Sequence, residues 1–277
     1  MTYKTIVVHL DAAARRTERL ELACSLAGGF AAHLVGLFAL AEQRVPFAIA
    51  GTAGALLEAE QQWRREAAEK AGKELERAAR RHGVSSVEWR ATASDATSAL
   101  RLSARYADLV VIGQDEQGPA AREACLPRYF VEETILTAGR PVLLVPYAGR
   151  FPTVGARVLV AWNASREATR AVTDALPLLQ RAQSVEIVAF DVQVGEHGAQ
   201  PGADIALYLA RHGVKATAAA QNAGIEVGEQ ILSRAADREA DLIVMGAYGH
   251  TRARELVLGG ATRTLLESMT VPVLMSH

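Results

Sequence analysis

The chain repeats itself in tandem, and this repeat constrains its fold more than any other feature of the sequence. Four segments of the first half recur in the second half in the same order. They are TIVVH at 5–9 matched by RVLVA at 157–161, RHGV at 81–84 and again at 211–214, ADLVVIG at 107–113 matched by ADLIVMG at 240–246, and PVLLV at 141–145 matched by PVLM at 272–275. A tandem duplication of this kind predicts two domains that share one plan.

Each half alternates short β-branched runs with helical patterns, which is typical of βαβ units and a parallel sheet. In the second half, these runs predict strands at 157–162, 184–190, 214–220, 241–245 and 271–275. Amphipathic patterns between them predict helices at 164–181, 202–212, 225–238 and 260–268. The first half follows the same plan but inserts a longer helix at 54–81. The sequence therefore predicts an α/β protein of two tandem doubly wound domains.

Turn residues between the halves, FPTVG at 151–155, predict a linker there and domain limits of 1–150 and 155–277. Each domain would end on a strand with an open edge of backbone donors and acceptors, which proteins usually cover. We therefore expect the strands at 141–146 and 271–275 to lie on facing edges and to join the halves as an intramolecular pseudo-dimer. A homodimer of the whole chain stays open.

Composition narrows the classes of protein further. Half of the 277 residues are hydrophobic and 22% are charged, which excludes a disordered or fibrous chain. The 30 Lys and Arg against 31 Asp and Glu favour neither a nucleic-acid nor a membrane partner. Cys24 and Cys125 are isolated, and no signal peptide is visible, so we expect a cytoplasmic protein. The uncharged stretch at 22–41 is interpreted as a helix end followed by a buried strand.

Four glycines follow the fourth strand of the second half, where ligands bind in open parallel sheets. Gly246 and Gly249 let the backbone turn sharply and approach a ligand closely. Gly259 and Gly260 precede a predicted helix, whose free N–H groups and dipole favour phosphate. A tight loop and a helix cap explain the same glycines, so the spacing alone leaves both interpretations open. The P-loop and GxGxxG motifs are missing, which argues against a P-loop NTPase and an ordinary nicotinamide dehydrogenase.

The spacing Gly246-x2-Gly249-x9-Gly259, preceded by DLIVM and followed by VPVL, resembles the nucleotide-binding loop of the universal stress protein family. The resemblance spans nearly the whole chain, as a tandem two-domain member. It implies a flavodoxin-like, Rossmann-like sheet of five mostly parallel strands in each domain, of the adenine nucleotide alpha hydrolase type. It also implies binding of ATP or ADP, and Mg²⁺ would enter only with the phosphates.

The resemblance implies one set of binding residues in the second half. His250 and Arg252 would lie near the ribose or the phosphates, and Asn163 and Phe190 would border the adenine. The full set is Asn163, Phe190, Gly246, Gly249, His250, Arg252, Gly259, Gly260, Ala261 and Thr262. Asn163 stands where the family has Asp, and Gly260 stands where it has Ser or Thr. We therefore expect Gly260→Ser to strengthen ATP binding.

The first half departs further from the family pattern. Gln114 and Asp115 follow the fourth strand where the loop would begin, and the second motif glycine is lost. The later glycine pair is replaced around 129–131, where side chains would block the backbone approach. Asp11 keeps the acidic position after the first strand. We interpret the first half as a degenerate, structural copy and expect nucleotide in the second half alone.

Three functions follow from these observations. The leading one is an adenine-nucleotide-binding regulatory protein of the stress response that acts on an unidentified client protein and hydrolyses nucleotide weakly or not at all. A ligand-free interaction scaffold with vestigial sites is the alternative from another class. An ATPase or nucleotidyl-transferase would need a general base and a metal carboxylate near the glycine loop, and the sequence shows neither clearly.

Overall fold

A computed structural model describes residues 2–13, 15–41, 54–115, 124–190, 201–222, 224–249 and 259–277. Each half of this described chain contains five strands. In the first half they are β1 Thr5–Leu10, β2 His33–Phe38, β3 Val87–Ala91, β4 Leu109–Gly113 and β5 Val142–Val145. In the second half they are β6 Arg157–Trp162, β7 Ser184–Phe190, β8 Ala216–Gln221, β9 Leu242–Gly246 and β10 Val273–Ser276.

Helices connect the strands and cover both faces of the sheet. In the described part of the first half they are α1 Arg16–Phe30, α2 Gly54–Arg81, α3 Ala96–Ala104 and α4 Phe130–Thr137. In that of the second half they are α5 Arg166–Leu179, α6 Ala203–Arg211, α7 Val227–Asp237 and α8 Gly260–Ser268. The stretch at 22–41 forms the end of α1 and the buried strand β2, as expected. Over the ranges that the structure describes, every helix is too short or too polar to span a bilayer.

The strands form one sheet in the order β3-β2-β1-β4-β5-β10-β9-β6-β7-β8. All pairs within a half are parallel, and the order within each half is the same. The predicted fold of two tandem doubly wound α/β domains is confirmed. The central strands are buried on both faces, and β4, for example, carries Leu109–Ile112 at 0% exposure, which explains its continuously apolar sequence.

The two halves join through their final strands, as expected. β5 and β10 pair antiparallel, with Val273 opposite Leu144 and Met275 opposite Val142. This pairing covers both open edges, so neither final strand exposes its backbone donors and acceptors. Beside the junction, the hydroxyl of Tyr3 donates to the carbonyl of Asp174 in α5 at 2.8 Å, and Arg181 donates to the carbonyl of Gly29 in α1 at 2.7 Å.

A buried histidine lies at the end of β1 and gives the fold a pH dependence. His9 is 0% exposed, lies 2.8 Å from the carbonyl oxygen of Ala39 through Nε2, and packs on the ring of Phe130. Burial, and next the charge of Arg19, lower the pKa of His9 to about 4. The folded protein therefore holds this imidazole neutral at pH values where the unfolded chain protonates it.

We expect His9 to make the folded state less stable as the pH falls from about 6.5 toward 4. The lowered pKa of His9 corresponds to about 3 kcal/mol of the free energy of unfolding. This stability is fully present above pH 6.5 and is lost below pH 4. Urea unfolding across this range should show a steeper loss for the native chain than for His9→Gln, whose side chain does not titrate. Equal pH slopes for the two proteins would contradict the assignment.

Candidate functional site

A cleft of about 680 Å³ opens beyond the carboxyl ends of β6, β7 and β9, beside the first turns of α7 and α8. Eight of the ten residues in the predicted set line it. They are Asn163, Phe190, Gly246, Gly249, Gly259, Gly260, Ala261 and Thr262. His250 and Arg252 lie outside the described residues. The structure thus brings the predicted positions together at one place, and their roles in binding stay a prediction.

Asn163 follows β6 and turns the chain into α5. Its side-chain oxygen accepts a hydrogen bond from the backbone N–H of Ser165 at 3.2 Å. Ser165 caps α5 in turn, because its hydroxyl oxygen accepts from the backbone N–H of Ala168 at 3.1 Å. Asn163 is exposed at the cleft, so its amide N–H groups are positioned to donate to a ligand.

Gly246 is explained by packing within the protein. A Cβ atom at this position would overlap the backbone nitrogen of Ala168 and would lie 2.6 Å from the carbonyl carbon of Glu167. The first turn of α5 therefore packs directly on the end of β9, and only glycine fits between them. The motif glycine at 246 is required by the fold whether or not a ligand binds.

The sharp turn after β9 uses Tyr248 as well as glycine. Tyr248 has a φ of 61°, in the left-handed region that non-glycine residues seldom adopt, whereas Gly249 does not lie in that region. A Cβ at Gly249 would approach the carboxylate of Glu167 at 3.1 Å and the hydroxyl of Ser165 at 3.2 Å. The glycine at 249 thus permits close packing and not a left-handed turn.

Gly259 and Gly260 open the N-terminus of α8 to the cleft. Gly259 is the N-cap residue and makes no side-chain cap, and α8 begins at Gly260 as predicted. A Cβ at Gly259 would meet no described atom within 4 Å. The free backbone N–H groups of the first turn of α8 are therefore not covered by side chains of Gly259 and Gly260, and they face open space.

Two carboxylates lie beside the glycines of the motif, Glu226 at Gly260 and Glu167 at Gly249, and neither was predicted from the sequence. Glu226 is exposed, and its Oε2 would lie 3.0 Å from a Cβ at Gly260. Glu167 is 6% exposed and is bound by Arg166 at 2.9 Å. Both residues begin helices, where acidic residues complement the dipole, so nothing in their local sequence set them apart.

The other end of the cleft is apolar. Phe190, Ile231 and Met245 are each less than 10% exposed and line it together with Val227 and Trp162. Of these, only Phe190 was predicted. Trp162 and Met245 also lie at strand ends but were not identified, and the sequence does not show which face of α7 turns toward the cleft. The combination of an apolar wall and a free helix N-terminus suits a ligand with a flat apolar ring and an anionic group.

Side chains occupy part of the corresponding region of the first half, beside a smaller cavity. Asp11 is 2% exposed and forms an ion pair with Arg19 at 2.7 Å, and the Arg19 guanidinium lies against Gly113. Helix α4 begins at Phe130 with Tyr129 as its N-cap residue at a φ of 64°. Tyr129 therefore takes the place that Gly259 holds in the second half.

One expectation for the first half is wrong in part. The side chains at 129–131 were expected to block the approach to the backbone, but Phe130 and Val131 are 0% and 1% exposed and belong to the core. Of these three residues, only Tyr129, which is 52% exposed, lines the cavity of the first half. Helical periodicity explains the difference, because the first two residues of α4 face the sheet.

The tandem doubly wound sheet and the cleft beyond its strand ends define a Rossmann-like α/β protein. Residues 156–277 match the model of the universal stress protein family. This match identifies a universal stress protein domain in the second half. A curated universal stress protein from Synechocystis, Slr1230, is 44% identical over 46 residues, which cover 17% of this chain and 16% of the relative's length.

Solved structures extend the likeness in fold to the whole chain. A universal stress protein from Archaeoglobus fulgidus DSM 4304 aligns with a TM-score of 0.73 at 13% identity, covering 98% of this chain and 95% of its own. A protein of unknown function from Pseudomonas aeruginosa PAO1 aligns with a TM-score of 0.60 at 18% identity, covering 99% of this chain and 92% of its own. At these identities the likeness supports a shared fold alone.

Proposed function

We propose that the chain is a regulatory protein of the stress response that binds an adenine nucleotide, ATP or ADP, in its second half. The observation that carries this proposal is the cleft itself, which is lined both by the uncapped N-terminus of α8 and by apolar side chains. A nucleotide matches both features of the cleft, since its phosphates are anionic and the faces of its flat base are apolar.

The phosphates would lie at the first turn of α8. The free N–H groups at Gly260, Ala261 and Thr262 supply donors, and the helix dipole adds a favourable field. Glu226 opposes this field, because its carboxylate lies beside the same turn. No cluster of three metal-ligating side chains occurs in the ranges given above, so Mg²⁺ would be carried by the phosphates.

The base would lie between Phe190, Ile231 and Met245, whose buried side chains form the apolar wall. Asn163 stands at the edge of this wall with a free amide. An amide can donate and accept hydrogen bonds, but it lacks the charge that Asp would bring. We therefore expect Asn163 to contribute to the orientation of the nucleoside more than to its affinity.

The interaction scaffold stays as the second candidate function, and one observation favours it. The carboxylate of Glu226 lies beside the first turn of α8, where it would repel an anion. Gly260 has no hydroxyl that could offset this repulsion by donating a hydrogen bond to a phosphate. Such a nucleotide site would be vestigial, as the copy in the first half is expected to be. Titration calorimetry of the full chain with ATP, ADP, AMP and adenosine decides between the two candidates.

We expect the affinity to rise from adenosine to AMP to ADP and ATP, because each phosphate added can reach the N-terminus of α8. Binding that is equal for adenosine and ATP would place the phosphates elsewhere. If none of the four compounds binds, the scaffold becomes the better account.

We expect Glu226→Gln to strengthen ATP binding about two- to five-fold, or ~0.5–1 kcal/mol, the scale of an exposed charge interaction. The gain should shrink at high salt and should be missing for adenosine, because only the phosphates meet this charge. Glu229→Gln is the matched control, since Glu229 is an exposed acidic residue of the same helix that does not line the cleft. A similar gain in ATP affinity in Glu229→Gln would mean that the effect comes from the net charge of the protein and not from the position of Glu226.

The position of Glu226 also changes the expectation for Gly260→Ser. The serine Cβ would lie 3.0 Å from Glu226 Oε2, so the new hydroxyl would donate to this carboxylate before it reaches a phosphate. We expect a small gain in ATP affinity from Gly260→Ser alone. In the Glu226→Gln background the gain should approach about 0.5–1.5 kcal/mol, the net scale of one hydrogen bond.

A further inference from the structure

The first half contains a cavity of about 350 Å³ that is not a copy of the cleft in the second half. It lies beyond the ends of β1, β4 and β5, at Asp11, Gly113 and Val145. In the second half, by contrast, β7 and α7 supply the apolar wall. None of the described residues that line the first cavity belongs to β2 or α3, which correspond to β7 and α7. Among the described residues, the cavity therefore lacks the counterpart of the apolar wall that β7 and α7 form in the second half.

Guanidinium groups form one side of this cavity. Arg19 is 5% exposed; its Nη2 donates to Asp11, and its buried Nε has no hydrogen-bond partner among the described residues. Arg15 donates from Nη2 to the carbonyl of Gly149 at 3.0 Å, and its buried Nε likewise has no partner in the described part of the chain. Buried polar atoms in proteins are nearly always paired, so these two donors mark a place for an acceptor.

Carboxylates form another side. Glu132, in the first turn of α4, lines the cavity, and no described residue forms a hydrogen bond with its buried Oε2. Asp115 lines the cavity as well. Although Asp115 is partly exposed, desolvation by the surrounding protein and then the negative charge of Glu132 raise the pKa of its carboxyl to about 6. A second carboxylate so close favours a positively charged group between the two.

We propose that this cavity binds a small zwitterion, an α-amino acid or a compound of the same size, with its carboxylate on Arg15 and Arg19 and its ammonium on Glu132 and Asp115. A simple anion would pair with the guanidinium groups but would be repelled by the two carboxylates. A simple cation would pair with the carboxylates but would be repelled by the guanidinium groups. Ligand pockets span about 300–1,000 Å³, so a volume near the lower end suits a ligand smaller than a nucleotide.

The test uses the full chain and the proteinogenic amino acids as probes. Thermal unfolding with each amino acid identifies any that raises the melting temperature, and calorimetry then measures its affinity. We expect at least one to bind, and we expect its N-acetyl derivative and its methyl ester to bind at least about ten-fold more weakly, or ~1.4 kcal/mol. Each derivative removes one of the two charges. If no amino acid binds, or if one of the derivatives binds equally well, the proposal is overturned.

Variants then locate the bound amino acid. Arg15→Gln and Glu132→Gln each remove one unpaired group without disturbing the Arg19–Asp11 ion pair, and each should weaken binding about ten-fold, or ~1.4 kcal/mol. Glu133→Gln is the matched control, because Glu133 is exposed on the same helix and does not line the cavity. Binding that survives both substitutions would place the amino acid elsewhere.

ATP provides the last control. If the two cavities are separate, saturating ATP should leave the affinity for the amino acid unchanged. Displacement of the amino acid by ATP would overturn the proposal of a distinct site in the first half. A failure of ATP binding itself would leave this inference intact, since it rests on other residues.

Discussion

Gly246→Ala should destabilise the protein strongly, by about 3 kcal/mol or more, the upper range for overpacking a close-packed core. The added methyl group would overlap the backbone nitrogen of Ala168 and would lie 2.6 Å from the carbonyl carbon of Glu167. A flexible side chain could move aside, but here the first turn of α5 would have to leave β9. Urea unfolding at neutral pH measures the loss.

Gly259→Ala is the matched control for this prediction. It adds the same methyl group to another glycine of the same motif, and that group would meet no described atom within 4 Å. The backbone at Gly259 has a φ of −57° and a ψ of 137°, which alanine adopts without strain. We expect a change within about 1 kcal/mol, since alanine is a poorer N-cap than glycine. Equal losses in the two variants would mean that Gly246 is not fixed by packing.

The fold was largely predictable, because strand and helix patterns depend on which residues are buried. The helix at 54–81 and the strands at 157–162 and 184–190 have the predicted bounds. Strands β8 and β10 each begin two residues later than expected, for local reasons. Val214 closes the end of α6, with its N–H donating to the carbonyl of Leu209 at 3.0 Å, so β8 begins at Ala216. Pro272 has no N–H for the ladder, so β10 begins at Val273.

The site was predictable in part. Glycine spacing located the cleft, because a glycine is needed wherever backbone segments or a ligand come close. The carboxylate of Glu226 was not predictable, since it reaches the start of α8 from a helix more than 30 residues earlier in the chain. The same holds for Arg19, whose place beside Gly113 results from how α1 packs on the sheet. Such contacts depend on tertiary structure and leave no local pattern.

The central claim is that a nucleotide binds at the N-terminus of α8 in the second half and not at that of α4 in the first. Gly259→Leu places a branched side chain in open space beside the cleft, where it would exclude the phosphates. Tyr129→Leu is its matched control, because Tyr129 is the N-cap residue of α4 and lines the first cavity. Both variants create the same residue at equivalent positions of the two halves.

Calorimetric titration of ATP into the native chain and these two variants, each checked for folding by circular dichroism, tests the claim most directly. The affinity of Gly259→Leu for ATP should fall at least about ten-fold, or ~1.4 kcal/mol, and that of Tyr129→Leu should equal the native value. If a folded Gly259→Leu keeps the native affinity, or if Tyr129→Leu loses it, the nucleotide does not bind where we have placed it.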